Sequence, residues 1–481
     1  MAVDSPERRL GNISSDDNIQ PGGVQDPEKA VPTQDATDEE SGTASPQPGQ
    51  ELQRWNESKV NIFRFFATIY SFTLLGMTDA VVGALLPYIE EYYSISYTVV
   101  SLLFLSPFVG YLLAALLNNQ IHHHFGQRGV AILAPIARLV GIVPLVFHPP
   151  YPVLPVVLLF TGFGNGIEDS AFNAWIGNMQ RANELLGFLH GAYGLGATIS
   201  PLIATAMVTR GGLPWYSFYY VMIGLDGLAW LLLVPAFWRA TAKVHREAHM
   251  HANRGKRTTT RAALRSPVTW IVAVILLGYV GAEVALGGWI VTFMLRVRHA
   301  ERFIAGLTVT FFWLGLTIGR VVLGFVTESI GEKLAITLYL LLSVALELLY
   351  WLVPNFAASA TFVTFLGFFL GPLFPAAIVV ATKLLPSDYH VPAIGFAAAF
   401  GGGGAAVIPF AVGAIAQSKG VEVLQPIVLA ILVFILLMWW MLPGGLRPGG
   451  LEKARQNGDR VGDVFRKCIR WFKGGLRAKT K

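Results

Sequence analysis

Apolar residues fill this chain in runs of about twenty, the length an α-helix needs to cross a hydrocarbon core. Twelve such runs can be read, near residues 62–90, 97–119, 129–147, 153–179, 185–209, 215–238, 268–295, 303–327, 333–353, 358–383, 391–417 and 421–443. They are called spans 1 to 12 below. Short polar turns separate most of them. Only between spans 6 and 7 does a long polar stretch intervene, "RATAKVHREAHMHANRGKRTTTRAALR". The pattern predicts an all-α membrane protein with twelve transmembrane helices in two six-helix bundles. The expected division is an acidic tail over 1–60, bundles over 61–239 and 267–443, a basic loop over 240–266 and a basic tail over 444–481.

Composition agrees, with 53% hydrophobic and 14% charged residues, where soluble domains carry about 25% charged. Residues 1–50 hold ten acidic and three basic side chains and six prolines, a composition that cannot build a core. That segment has neither the basic start nor the apolar stretch of a signal peptide. The single cysteine, Cys468, excludes an intramolecular disulfide.

Lysine and arginine set the expected orientation. With the N-terminus cytoplasmic, the inner connections hold Arg128, Arg181, eight residues of the central loop, Lys333 and Lys383, twelve in all. The outer connections hold five: Arg210, Arg296, Arg298, Arg302 and Lys419. Both termini are therefore expected in the cytoplasm, with the plasma membrane favoured over an internal one. The connection "RVRHAER", residues 296–302, runs against this bias.

The two halves repeat one another. "FTGFGNG" starts at 160 and "FLGFFLG" at 365, 205 residues apart, the same interval that separates Gly126 from Gly331. Asp79 is followed four residues later by Gly83, and Glu283 by Gly287, at an interval of 204. Such agreement marks a duplicated six-helix unit, the organisation of secondary transporters with substrate sites between halves near the midplane.

Charge inside the spans is the chemical signal. Span 4 contains "FTGFGNGIEDSAFNAW". A central Asp there costs about 2.5–3.5 kcal/mol against roughly 0.3–0.6 kcal/mol returned per Leu, Val or Phe. Asn165, Asp169 and Asn173 recur every four residues and form one polar stripe. Gly162, Gly166 and Ser170 form a neighbouring stripe of small residues. Glu168 points about 100° away from Asp169 on a helix. Intramembrane acids mark pathways as a rule, so Asp169 is the expected proton carrier, with Asp79 and Glu283 at matching positions of the two halves. The alternative for each is a structural acid bonded to a neighbouring helix. Asp226 and Glu347, in spans 6 and 9, read as structural, and Arg138 of span 3 as the neutraliser of one acid. The candidate solute-binding set is Asn165, Asn173, Glu168, Trp175, Trp289, Tyr193 and Tyr279, the rings offering flat apolar platforms to a sugar-like ligand.

Several residues carry a resemblance. The connection "NNQIHHHFGQRG" resembles a degraded form of the major facilitator superfamily signature, keeping Gly126 and Arg128 while Asn119 and His123 stand for its first glycine and acid. Its second copy, "GRVVLGFVTESIGEK", is better kept, with Arg320, Gly324, Glu328 and Gly331. The resemblance covers nearly all of residues 60–443 and implies a conformational, gating role for these positions. It also implies a central cavity lined by spans 1, 4, 7 and 10. "DSAFNAW" (169–175) and "YVGAEVALGGW" (279–289) resemble the fucose:proton symporter branch. In that branch a fourth-helix acid, followed four residues later by Asn, takes part in proton coupling, which falls on Asp169 and Asn173. The first-helix acid of that branch aligns near Gly83, whereas this chain has Asp79 one turn earlier.

The expected function is alternating-access transport of a small polar, sugar-like solute by proton symport. The glycine strings "GAYGLGATISP" and "GGGGAAVIP" in spans 5 and 11 would let helices bend. Because the first resembles the superfamily's antiporter motif, proton-antiport export stays open, as does a non-transporting sensor. No lysine follows either string, so neither is a phosphate loop, and no nucleophile or metal constellation suggests an enzyme. The three histidines of "IHHHFG" point in different directions, against a metal site. No cofactor and no nucleic acid is expected; the partners are the solute, protons and the lipid bilayer, for a monomeric protein. In the tail, Val461, Phe465, Ile469 and Phe472 share one face amid lysines and arginines, which suggests an interfacial helix near Cys468.

Overall fold

The computed structural model describes residues 53–249, 261–458 and Val461. Most of the proposed interfacial helix, with Phe465, Cys468, Ile469 and Phe472, lies outside the described residues, as do the first 52 residues and 250–260.

Ten described helices are long and apolar enough to cross a membrane. The sequence pattern becomes twelve for two local reasons. Tyr97–Phe147 is one apolar element of 51 residues, but Gly126 inside it has φ 68° and ψ −166°. That left-handed backbone, open to glycine, splits the element into spans 2 and 3. The helix Val153–Gly177 supplies span 4; its 25 residues reach about 37 Å, and its carboxylates and asparagines lower its apolar average. The other spans are Lys59–Tyr93, Ala182–Thr209, Ser217–Phe237, Pro267–Arg296, Arg302–Ile330, Glu332–Leu352, His390–Lys419 and Leu424–Met441, with span 10 formed by Phe356–Leu370 and Leu373–Leu384. Span 10 breaks at Gly371 and Pro372, where proline has no N–H to continue the ladder.

Packing repeats between halves. Span 1 lies against span 5 as span 7 lies against span 11, and span 4 against spans 2 and 3 as span 10 against spans 8 and 9. The halves meet where span 1 faces span 7, span 2 faces span 11 and span 5 faces span 8. That set maps onto itself when the halves are exchanged. Spans 1 and 7 are the most enclosed, 78% of each apolar window being buried.

The turns between spans 2 and 3 and between spans 8 and 9 are built alike. A Cβ on Gly126 would lie 2.6 Å from Ala240 O, in the segment that leaves span 6, and the Arg128 amide donates to that same carbonyl at 2.9 Å. A Cβ on Gly331, at φ 88°, would lie 3.1 Å from Pro448 Cα, in the segment that leaves span 12. Each half thus clasps its own exit strand.

The duplicated glycines of spans 1 and 7 touch each other. A Cβ on Gly83 would stand 1.9 Å from Gly287 O, so the two backbones are in direct contact one turn beyond Asp79 and Glu283. Past this crossing, on the side away from the central loop, the halves are fastened further. Glu90 faces Arg296 at 3.7 Å and Glu91 faces Arg302 at 3.2 Å. Gln417 Oε1 accepts from the Tyr97 amide at 2.8 Å, and Arg210 covers the Phe303 ring at 4.4 Å. The arginines that run against the loop bias therefore have local uses. Two pair with the acids at the end of span 1, and Arg298 caps span 9 through Tyr350 O at 2.7 Å and Trp351 O at 3.0 Å.

A leucine at Gly83 needs space that Gly287 occupies. Overpacking of this kind costs about 1–3 kcal/mol, enough to shift a two-state closure on the order of tenfold. In a Cys468→Ser background, a cysteine replacing Phe104 should react with an impermeant maleimide faster when Gly83→Leu is present; equal rates would show that this crossing does not control closure.

Candidate functional site

From Leu74 to Ile89, Asp79 is the one residue of span 1 that is exposed, all others being buried except half-buried Val82. A central helix wrapped by neighbours has no lipid to expose to, so the carboxylate opens on a hollow within the bundle. Two side chains hold it. Asn165 Nδ2 of span 4 donates to Oδ1 at 3.1 Å, and the Tyr193 hydroxyl of span 5 donates to Oδ2 at 3.2 Å. Asn165 Oδ1 is buried and accepts from no described residue. Lower on the same face of span 4, Asn173 Nδ2 donates to Asp169 Oδ1 at 2.8 Å. The polar stripe read from the four-residue spacing therefore carries two hydrogen-bonded pairs, Asn165 with Asp79 and Asn173 with Asp169.

The second half supplies a facing group. Glu283 of span 7 lies 3.8 Å from Arg320 of span 8. Arg320 Nε donates to Gly371 O at 3.1 Å, a carbonyl released by the break in span 10. Tyr279 sits on the same side of span 7, one turn from Glu283, and is almost wholly buried. Tyr193 stands within electrostatic reach of Asp79, Glu283 and Arg320 together, so the acids of both halves look onto one region. Arg320 belongs here rather than with the signature turn: it is eleven residues before Gly331, deep in the span.

Glu168 is elsewhere. Its side chain has no exposed surface and pairs with Arg138 Nη1. Arg138 Nε also donates to Asp226 Oδ1 at 2.7 Å, and Nη2 to Ser71 Oγ at 3.0 Å. The expected solute contact at Glu168 is therefore replaced by an internal ion cluster joining spans 1, 3, 4 and 6; the 100° turn between neighbouring helical residues sends Asp169 to the hollow and Glu168 into the bundle. Asp226 of span 6 and Arg138 of span 3 both belong to this buried cluster.

The aromatic platform also changes. Trp289 is fully buried and donates to Pro409 O at 2.9 Å, with Tyr97 and Phe104 rings at 5.8 and 6.4 Å. It plugs the joint between the halves and offers no face to a solute. Trp175 is half-buried, edge-on to Phe237 at 5.2 Å. Tyr193 keeps its place at the hollow. Gly324 and Glu328 are exposed near the end of span 8, while Arg128 covers Trp238 at 5.2 Å.

A duplicated six-helix bundle with paired acids at its centre matches a known family. A family model of the Major Facilitator Superfamily matches residues 68–301 and again 280–471. The chain belongs to this superfamily. Among its relatives, Bypass of stop codon protein 6 of Saccharomyces cerevisiae is 32% identical over 406 residues, covering 78% of this chain and 81% of that protein. The glucose/mannose transporter GlcP of Bacillus subtilis is 22% identical over 361 residues, covering 72% and 86%. The crystal structure of a D-xylose-proton symporter superposes with a TM-score of 0.63 at 13% identity, covering 79% of this chain and 97% of that one, a likeness of fold. The protein is thus a membrane transporter of the superfamily and not an enzyme.

The two kinds of ion pair should respond differently to loss of a cation. Arg302 and Glu91 are more than half exposed, and such pairs contribute at most about 1 kcal/mol. Arg320→Gln leaves Glu283, which is 9% exposed, without its countercharge and should destabilise by on the order of 2–3 kcal/mol. In detergent, the melting temperature should fall clearly for Arg320→Gln and barely for Arg302→Gln; the reverse order would remove Arg320 from the interior site.

Proposed function

We propose that the protein carries a small hydroxyl-bearing, sugar-like solute together with a proton, by alternating access. The observation that carries this reading is Asp79, an exposed carboxylate inside an otherwise buried central helix, bonded to Asn165 and Tyr193 and facing the Glu283–Arg320 pair across the halves. Carboxylate and amide oxygens accept, while tyrosine and arginine donate, so a solute with several hydroxyls can satisfy the region in both directions. Asn165 Oδ1, buried and unaccepting, would take one donor from such a ligand. The sugar-transporting relative and the likeness of spans 4 and 7 to the fucose:proton branch support the solute class.

Asp169 and Asp79 are the proposed proton carriers. A carboxyl group that is dry on one side of the cycle and hydrated on the other changes its proton affinity with access, which is the physical basis of coupling. Glu283 holds Arg320 ready for the solute in the second half. The crossing at Gly83 and Gly287 closes the far side, leaving Asp79 on the other side of that seal. The lysine and arginine bias supports cytoplasmic termini.

The test is reconstitution in proteoliposomes with a panel of sugars, reading solute-dependent proton movement. Symport requires both to move the same way; opposite movement would establish the exporting antiporter instead. Asp169→Asn should abolish uphill accumulation driven by a pH gradient while counterflow exchange persists. Full accumulation in that variant would remove Asp169 from coupling.

A further inference from the structure

The cluster around Arg138 has an unbalanced charge. Arg138, Glu168 and Asp226 have side chains with no exposed surface. Two carboxylates therefore share one guanidinium in a place that water does not reach. Arg138 bonds one oxygen of each, Glu168 Oε2 and Asp226 Oδ1, and its remaining contact goes to neutral Ser71 Oγ. The other two oxygens, Glu168 Oε1 and Asp226 Oδ2, are buried and have no hydrogen-bond partner among the described residues. The titratable and charged groups nearest the cluster do not supply the missing positive charge. They are Tyr70 and Asp79 on span 1, Tyr111 on span 2 and Asp169 beside Glu168 on span 4, each neutral or acidic.

An uncompensated charge in a low-dielectric interior is strongly disfavoured even after relaxation, whereas one bound proton brings the three groups to neutrality. We propose that this cluster is a proton-binding site that holds one proton on the two carboxyl oxygens that the guanidinium leaves free. The proton belongs to the Glu168–Asp226 pair as a unit, and the occupied cluster is a neutral clamp across spans 1, 3, 4 and 6. It is distinct from the hollow, since Asp169 and Glu168 leave span 4 in different directions, and it stands whether or not the protein moves sugars.

Infrared spectroscopy of the purified full-length protein, exchanged between water and deuterium oxide, reads the site directly. A protonated carboxyl has a carbonyl band apart from that of a carboxylate, and the band shifts on deuteration. Glu168→Gln and Asp226→Asn each leave one carboxylate to one guanidinium and remove the need for the proton. Each variant should therefore lose band intensity equivalent to one carboxyl group per chain relative to the unsubstituted protein, other buried acids cancelling in the difference. Unchanged intensity in either variant would overturn the proposal, so one stable variant suffices for the decision.

Discussion

Hydrocarbon offers no partner to a charge, and this constraint organises the interior of the protein. A carboxylate or guanidinium within a span must meet an opposite charge, a set of hydrogen-bond donors, or a hollow that admits water. The first solution appears at Arg138 with Glu168 and Asp226, the second and third at Asp79. The two draw on residues three apart on span 4, Asn165 at Asp79 and Glu168 in the cluster. The cluster fixes how span 4 is rotated, and that rotation is what presents Asn165, Asp169 and Asn173 to the centre. A structural ion cluster and a functional surface are in this sense two faces of one helix.

The same economy governs the contact between the halves. Most helix pairs in lipid meet through small residues, because apolar bulk gains nothing by leaving apolar solvent. Here one direct inter-half backbone contact is made by Gly83 and Gly287, which occupy equivalent places in the duplicated sequence. Their contact brings the neighbouring acids, one turn away on each helix, to a common level. Duplication thus does more than repeat a fold: it places two copies of an acid-plus-glycine element against each other, one copy keeping its acid exposed and the other pairing it with Arg320.

Much of this was legible in the sequence, for reasons that differ by feature. The spans follow from run length alone, and the failure of span 4 to look apolar is what pointed to chemistry in it. The stripe at Asn165, Asp169 and Asn173 follows from helical geometry, and the structure keeps it. What sequence could not supply was partnership between distant segments. Arg138 and Asp226 are 88 residues apart, and nothing local tells which acid an arginine will meet, so the sequence alone leaves Glu168 among the solute contacts. Arg320 lies within the recognised string, although eleven residues of chain, nearly all helical, separate it from the turn at Gly331. Trp289 was misplaced because a tryptophan beside an acid looks the same whether it plugs a joint or lines a hollow. The arginines of "RVRHAER" did leave a signal, an excess on the wrong side, whose meaning required Glu90 and Glu91 at the end of span 1.

The clasps at Gly126 and Gly331 have a consequence for the rest of the chain. Because the strand leaving each sixth helix is gripped by its own half, at Ala240 in one case and Pro448 in the other, the connection that follows begins already anchored. A change in the sequence that follows either segment therefore acts beyond this anchor and leaves the packing of its bundle's helices in place.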